Sequence, residues 1–415
     1  MKNKSIVAAY LSLAVFATLA LAPTRGSSAA QSAGQWVGTW ASSPLLAGTP
    51  PPTAPPAPTF NDVTLRQVVH VSIGGRAIRV RFSNAFGTSP FTITSAHVAV
   101  ATGAGAIRPD SDAALTFSGQ HSATIPAGAP LDSDPLNFNL APMSDLAITI
   151  HVDSAPTGIT IHQGSSATSY LQSGDAVSSA DLSSATHVSH WYFLESVDVQ
   201  SATAAGAVVT FGDSITDGAF STADANARWP DDLARRLAAN PKTRGVGVLN
   251  EGIGGNRLIH DMAGPNALAR FDRDVLAQSG VRWLIVLEGI NDIGNRVNAA
   301  ARHEPIPTPQ DLIAAYQQII ARAHAHHIRV YGCTILPFEG AHYYTPEGEV
   351  DRQAVNKWIR TGGAFDAVID LDAATRDAQD PAHLKAGADS GDHLHPGDAG
   401  YKVMANAIDL NLFTK

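Results

Sequence analysis

The feature that most constrains the fold of this 415-residue chain is a change of hydrophobic periodicity near residue 205. Beyond it, short apolar runs alternate with amphipathic segments of helical length, which predicts a parallel sheet covered by helices. The predicted strands are residues 207–211, 247–250, 283–287, 329–334 and 367–371, and the predicted helices are residues 229–240, 267–278, 309–326, 347–360 and 400–412. Thr308 and Pro309 mark one helix start as cap and first residue. Because ligands of such sheets gather at the carboxyl ends of the strands, we expect the chemistry in the turns that follow them.

The preceding part of the chain, from about residue 36 to residue 199, predicts an all-β region. It shows short alternating runs and turn residues without a sustained helical period. Within residues 63–82, two alternating runs flank Gly74-Gly75, a signal for a two-residue hairpin. Further predicted strands are residues 96–101, 123–125, 146–152 and 191–199. We interpret the proline-rich residues 48–59 as a stiff excursion from a loop rather than an interdomain linker.

The N-terminus has the pattern of an export signal. Lys2 and Lys4 precede an apolar run, and Pro23 ends that run before small residues that predict cleavage after Ala30. An uncleaved membrane anchor is the alternative, which the proline and the small-residue tail disfavour. No lipoprotein cysteine follows, so we expect a secreted or periplasmic protein without a stable membrane anchor.

These patterns predict three segments. Residues 1–30 form a signal peptide, residues 31–200 a β-sandwich-like accessory domain, and residues 201–415 an α/β domain that carries the chemistry.

Charge and cysteine content exclude several classes of protein. The net charge is −9, and without the first thirty residues 25 basic side chains face 37 acidic ones, a net of −12. This balance disfavours a nucleic-acid-binding protein, which needs a basic surface. Cys333 is the only cysteine, so internal disulfides, zinc ribbons and iron–sulfur clusters are excluded. We expect Cys333 to be a small core residue.

The first of four polar motifs is Gly-Asp-Ser-Ile-Thr-Asp-Gly, residues 212–218, directly after a predicted strand. It would place Ser214 at the rim of the sheet. The α/β-hydrolase nucleophile elbow is excluded because Thr216 stands where its last glycine should be. Taken alone, such a motif is most often a turn followed by a helix cap.

The other three motifs also lie in turns. Residues 250–256 are glycine-rich and would present bare N–H groups to an anion, although Arg257 replaces the third glycine of a dinucleotide fingerprint. Asn291 follows the third strand, where its amide can donate to a developing oxyanion. Asp392 and His395 lie three residues apart in one short turn before the last predicted helix.

In order and spacing, these motifs together resemble the SGNH/GDSL hydrolase family. Gly255 follows Ser214 by 41 residues, Asn291 follows Gly255 by 36, and Asp392 and His395 come 101 and 104 residues after Asn291. The resemblance covers about residues 205–415. The sequences of residues 228–230 and 392–396 are similar to those of the branch that includes esterases associated with xylan degradation. The sequence of residues 65–69 is similar to the N-terminal β-domain found in that branch.

Family resemblance implies a flavodoxin-like three-layer αβα fold and a serine acyl-hydrolase mechanism without a metal or organic cofactor. It also implies short acyl groups, such as acetyl on plant polysaccharide, as substrates. Two alternatives stay open: a broad arylesterase or lysophospholipase, and a carbohydrate-binding protein with an inactive hydrolase domain. The sequence does not fix the oligomeric state.

The implied mechanism agrees with the chemistry of these residues. A serine hydroxyl needs a base to remove its proton, and a histidine such as His395 is suited to that role. Asp392 would accept the other ring N–H and fix the tautomer. The backbone N–H groups of Ser214 and Gly255 and the Asn291 amide would meet the oxyanion, each donor being worth about 3–4 kcal/mol.

Some assignments have rivals in the sequence. Gly254 competes with Gly255 as the loop donor, and Asp389 competes with Asp392 as the partner of His395. We prefer Gly255 and Asp392 because they match the family's positions. Trp229 is equally consistent with packing and with lining the acyl pocket.

Two histidines of the same turn are also candidate metal ligands. His393 and His395 with Asp213, Asp217 and Asp392 could form a metal site, but the matched motifs explain these residues without a metal. We interpret the histidines 324, 326 and 327 as a solvated helix end.

Overall fold

The computed structural model describes residues 34–48 and 58–414. The predicted signal peptide therefore lies outside the described residues, as does most of the proline-rich segment. The strands are β1 (Gln35–Ala41), β2 (Leu45–Leu46), β3 (Asn61–Val71), β4 (Gly75–Ser83), β5 (Phe91–Ile93), β6 (Ser95–Gly103), β7 (Ala106–Ile107), β8 (Ala113–Ala114), β9 (Ala123–Ile125), β10 (Pro130–Asp132), β11 (Leu136–Leu140), β12 (Ser144–Ser154), β13 (Thr160–His162), β14 (Ser169–Ser173), β15 (Thr186–Val188), β16 (Trp191–Tyr192), β17 (Leu194–Ser201), β18 (Gly206–Gly212), β19 (Val246–Gly252), β20 (Val281–Leu287), β21 (Arg329–Cys333) and β22 (Ala367–Ile369).

The α-helices follow in the second half of the chain. They are α1 (Ser214–Asp217), α2 (Trp229–Ala239), α3 (Ala267–Phe271), α4 (Ile290–Gly294), α5 (Ala299–Arg302), α6 (Pro309–Ala325), α7 (Pro346–Thr361), α8 (Leu371–Thr375) and α9 (Asp398–Asn406). No helix of the described residues has the length and apolar character that crossing a bilayer requires.

The second half of the chain is an α/β structure with a parallel sheet, as predicted. Its five strands lie in the order β19-β18-β20-β21-β22, and every neighbouring pair is parallel. In chain order this is 2-1-3-4-5, the arrangement of doubly wound flavodoxin-like sheets. Helices α2, α8 and α9 form one contact group and α3, α6 and α7 another, as right-handed crossovers on both faces of a sheet would produce.

Local signals placed most of these elements well, but the end of the chain differs. The α6 cap is confirmed: Thr308 Oγ1 accepts from the Asp311 N–H, and Pro309 opens the helix. The predicted helix over 400–412 is wrong in extent, because α9 ends at Asn406 and a separate 3₁₀ turn spans Leu410–Phe413. The Asp409 carboxylate accepts from the Asn411 N–H and starts that new turn.

The first half of the chain is all-β with antiparallel strands, as predicted, but the hairpin at Gly74-Gly75 is wrong. Strand β3 pairs with β12 and β14 in a seven-stranded sheet, whereas β4 pairs with β17, β10 and β11 in a five-stranded one. Long-range partners occupy both edges of each strand, so the two glycines carry the chain from one sheet to the other. The sandwich arrangement of these sheets stays a prediction.

The β region packs directly on the parallel sheet. Gly38 N donates to Ser279 O at 2.9 Å, and Val248 N donates to Ser72 Oγ at 2.9 Å. One apolar core runs through both regions. It includes Trp40 of the β region and Leu249 of the parallel sheet. Residues of the β region therefore contact the α/β region directly. The domain boundary between residues 200 and 201 stays a prediction.

Candidate active site

The parallel register brings three of the motifs side by side. Gly212, the last residue of β18, is aligned with Gly252 at the end of β19 and with Leu287 at the end of β20. A side chain at Gly212 would clash, since its Cβ would lie 2.2 Å from Leu287 O. Ser214, the Gly254-Gly255 loop and Asn291 therefore leave the same edge of the sheet.

Ser214 is held at the start of α1. The carboxylate of Asp213 caps this helix and accepts from Ile215 N at 2.9 Å. Gly218, with a φ of +100°, ends the helix after a single turn. Ser214 is 9% exposed, and the other three residues of α1 are buried as well.

Ser214, His395 and Asp392 form a continuous chain of hydrogen bonds. Ser214 Oγ lies 2.8 Å from His395 Nε2, and His395 Nδ1 lies 2.6 Å from Asp392 Oδ2. The Asp392 carboxylate also accepts from the backbone N–H of His395. With Nδ1 donating to Asp392, a neutral His395 presents its Nε2 lone pair to the serine hydroxyl.

Asp392 is suited to remain ionised. Burial alone would raise its pKa, but hydrogen bonds from the His395 backbone and side chain and from Leu394 N outweigh it, so the pKa is lowered from its ordinary value. The carboxylate is then negative throughout the neutral range, which stabilises an imidazolium at His395.

The rival carboxylate has another partner. Asp389 Oδ2 lies 2.7 Å from His393 Nδ1, and His393 is half exposed with a φ of +63°. The two histidines of this turn are thus paired with different carboxylates. The structure brings Asp392, and not Asp389, to the histidine that contacts Ser214.

The glycine loop distinguishes its two candidate donors. Gly254 N donates to Asp217 Oδ2 at 3.0 Å and is therefore occupied. Neither Gly255 N nor Ser214 N donates to an acceptor within the described residues, so both are available to a ligand oxygen. Gly255 has a φ of +76°, a conformation that favours glycine.

Asn291 is oriented by two contacts. Its Nδ2 donates to Asn256 O at 2.9 Å, which uses one of the two amide hydrogens. The Tyr343 hydroxyl donates to Asn291 Oδ1 at 3.2 Å, which fixes which end of the amide carries the nitrogen. Nothing in the sequence signalled the role of Tyr343, which lies in a loop 52 residues away.

A buried arginine supports the strand ends from below. Arg270 donates to Gly212 O, to Glu251 O and to Asn256 Oδ1 at 2.9, 2.7 and 2.9 Å. Its guanidinium also lies 4.0 Å from the centre of the Phe211 ring. One fully buried side chain thereby ties two strands to the glycine loop.

Asp274 pairs with Arg270 at 2.9 Å, and further buried carboxyl groups lie among the strand ends and the turns that follow them. Burial raises the pKa of Asp213 and of Asp292 to about 7, and it raises the pKa of Glu288 well above its ordinary value. Asp292 is also fixed by the N–H of Leu258, at 2.7 Å. Asp213 and Asp292 are therefore partly protonated near neutral pH.

A cavity of about 220 Å³ adjoins the glycine loop. Its walls come from both halves of the chain: Leu45, Gln163, Gly164 and Ser166 from the β region and Asp217, Ala219, Ile253 and Gly254 from the α/β region. The exposed Phe220 ring lies 5.3 Å from the His395 ring and offers an apolar surface on the histidine side.

The remaining sequence candidates lie elsewhere. Trp229 is fully buried, which assigns it to packing rather than to the acyl pocket. Cys333 is buried in β21, as predicted. His324 pairs with Asp366 at 2.8 Å at the end of α6. Among the described residues, one group has ligand atoms close enough together to hold a metal ion: Glu339, Asp380 and His383.

Comparison with known proteins supports one family. Residues 210–403 match the model of the GDSL-like Lipase/Acylhydrolase family. A search of curated proteins found no match.

Solved structures of GDSL and related hydrolases are similar over about half of the chain. A lipolytic protein of the G-D-S-L family from Desulfitobacterium hafniense is 21% identical, with 49% of this chain and 97% of that chain covered and a TM-score of 0.36. A variant of Axe2, an acetyl xylan esterase from Geobacillus stearothermophilus, is 23% identical, with 49% and 93% covered and a TM-score of 0.39. At such identities and TM-scores these likenesses say nothing of this chain's substrate.

Proposed function

We propose that this chain is a carboxylic ester hydrolase that acts through an acyl-enzyme on Ser214, since residues 210–403 match the model of the GDSL-like Lipase/Acylhydrolase family. The observation that carries this proposal is the chain from Ser214 Oγ through His395 to Asp392, with distances of 2.8 and 2.6 Å. The same chain argues against a binding protein with an inactive hydrolase domain, because such a protein has no need of an aligned base.

Acylation begins when His395 Nε2 takes the Ser214 proton as Oγ attacks the ester carbonyl carbon. The carbonyl π electrons move to oxygen, and the resulting oxyanion accepts from Ser214 N, Gly255 N and the second hydrogen of Asn291 Nδ2. Collapse of this intermediate breaks the bond to the alcohol oxygen, which receives the proton from the imidazolium.

Deacylation repeats the sequence with water. His395 takes a proton from water, the hydroxide oxygen bonds to the acyl carbon, and Ser214 Oγ leaves with the returned proton. Asp392 stays ionised throughout and stabilises the imidazolium in both halves.

We propose short acyl esters, such as acetyl groups on a polysaccharide, as the substrates of a secreted enzyme. The substrate class is supported by the likeness of residues 228–230 and 392–396 to the xylan-esterase branch, and export by the signal pattern of residues 1–30. The exposed Phe220 beside His395 suits either a sugar ring or an aryl leaving group.

A ladder of p-nitrophenyl esters from acetyl to long acyl chains, followed by acetylated xylan, tests this substrate class. The proposal predicts the highest kcat/KM with acetyl and release of acetate from the polysaccharide. A preference for long chains would favour a lysophospholipase, and activity on aryl acetates without acetate release from xylan would favour an arylesterase.

A further inference from the structure

The β region supplies a buried histidine to the base of the active site. His162, the last residue of β13, is 3% exposed, and its Nε2 lies 3.0 Å from Asp217 Oδ1. The other oxygen of Asp217 accepts from Gly254 N at 3.0 Å. A chain of two hydrogen bonds therefore runs from the β region to the glycine loop.

The second contact of His162 determines its charge. Nδ1 lies 2.9 Å from Ser43 O, a carbonyl that can only accept, so this nitrogen carries a hydrogen. Nε2 faces the Asp217 carboxylate, so both ring nitrogens meet acceptors, as in an imidazolium. Burial and Arg228 lower the pKa of His162, but the charge and hydrogen bond of Asp217 and the Ser43 carbonyl outweigh them and raise it.

Asp217 connects the two parts of the site. It ends the single helical turn that Ser214 begins, and it binds the N–H next to Gly255. Asp217 is also a negative charge close to the oxyanion site. Without a cationic partner, this carboxylate would repel the negative charge of the transition state and destabilise it. His162 both neutralises that charge and holds the carboxylate on Gly254.

We propose that His162 is a positioning residue for the reaction: through Asp217 it holds the glycine loop so that Gly255 N–H, and not Gly254 N–H, meets the oxyanion. This inference rests on the proposed function. It makes the β region a part of the catalytic unit, since the residues that follow His162, namely Gln163, Gly164 and Ser166, also line the cavity beside the loop.

Two substitutions separate the two hydrogen bonds of the imidazole. The amide nitrogen of Gln takes the place of Nε2, so His162→Gln keeps a donor toward Asp217. The amide nitrogen of Asn takes the place of Nδ1, so His162→Asn keeps the donor toward Ser43 O alone. Both lose the cation. His151→Asn breaks another His–Asp pair of the β region, in which His151 Nε2 lies 3.1 Å from Asp62 Oδ1, and is the control.

Steady-state hydrolysis of p-nitrophenyl acetate, with Tm measured alongside, is the readout. We expect His162→Asn to lower kcat by about 30-fold with KM within about threefold, and His162→Gln to recover most of that loss. His151→Asn should keep the wild-type kcat. Equal kcat values in the Asn and Gln variants, or a wild-type kcat in His162→Asn, would overturn the proposal.

Gly164→Ala tests the same link without changing the histidine. A Cβ at Gly164 would lie 2.0 Å from Asp217 Oδ2, so the carboxylate must move off Gly254 N. A folded Gly164→Ala protein with a lowered kcat supports the proposal even if His162→Asn fails to fold, and an unchanged kcat contradicts it. Ester hydrolysis that persists in a folded Ser214→Ala protein would instead contradict the proposed function.

Discussion

Asp392 and His395 are joined by a hydrogen bond of 2.6 Å, while the neighbouring pair Asp389 and His393 is joined by one of 2.7 Å. The two pairs lie in one turn but differ in what the histidine meets next. His395 contacts Ser214, whereas His393 is half exposed. The chain thus contains its own control for the role of a carboxylate beside a histidine.

Asp392→Asn should lower kcat by about 10³-fold or more, because the amide no longer fixes the tautomer or stabilises the imidazolium. Asp389→Asn should keep kcat within about threefold of wild type, since its partner does not reach the serine. Steady-state kinetics of the two purified variants provide the comparison. A strongly lowered kcat in Asp389→Asn together with a near wild-type kcat in Asp392→Asn would show that the assigned triad is wrong.

Gly255→Ala should lower kcat far more than Gly254→Ala, by a further factor of about ten. Gly255 has a φ of +76° that an alanine adopts under strain, and its added Cβ would lie 3.3 Å from Ala263. A Cβ at Gly254 meets Asp217 Oδ2 at 3.6 Å, an ordinary contact. The kcat of each variant is the measurement, and the reverse ranking would identify Gly254 as the donor.

Tyr343→Phe removes the hydroxyl that donates to Asn291 Oδ1 and leaves that buried oxygen without this partner. We expect kcat to fall by about tenfold with little change in KM, because a loosened amide affects the oxyanion more than substrate binding. Tyr344→Phe, at the adjacent position, is the matched control. If both variants have the same kcat, Tyr343 does not orient Asn291.

Stability should fall as pH rises through neutrality. Asp213 and Asp292 have a pKa of about 7 in the fold, raised by burial, so the native state holds protons that the unfolded chain releases. The raised pKa of His162 acts in the same direction, since its stabilisation is complete below its unfolded pKa and is lost as pH rises through the folded one.

Thermal unfolding from about pH 5 to about pH 8 measures this dependence, because Asp213 and Asp292 titrate at about pH 4 in the unfolded chain and at about pH 7 in the fold. Asp292→Asn should flatten the decline of Tm, because the amide can still accept from Leu258 N without a charge to bury. A Tm that rises with pH over this range would show that other groups dominate the linkage.

Sequence patterns could place the candidate site residues near one another because these residues follow strand ends. Parallel strands bring their carboxyl ends to one edge, so Ser214 and Asn291 could be placed together from periodicity and motif order alone. The contacts of His162 with Asp217 and of Tyr343 with Asn291 could not be predicted in this way. They join residues 55 and 52 positions apart, and the segments that carry them show no periodic signal. The hairpin at Gly74-Gly75 failed for a related reason, because local turn chemistry does not reveal competing long-range strand partners.

The choice between Gly254 and Gly255 shows the same limit at one position. The family's position favours Gly255 over the adjacent Gly254, but the sequence does not show that Gly254 N donates to Asp217 Oδ2. Tertiary contacts, rather than sequence spacing, therefore decide which donor is available to the substrate.

The most direct test of the account is the reaction of Ser214 itself. An alkyl p-nitrophenyl phosphonate should inactivate the wild-type enzyme with one phosphonyl group on Ser214, identified by peptide mass spectrometry. Ser214→Ala should fold with a Tm near that of wild type and lose about 10⁴-fold or more in kcat. A folded Ser214→Ala protein that keeps a tenth of the activity, or inactivation with the label on another residue, would contradict the assignment of Ser214 as the nucleophile.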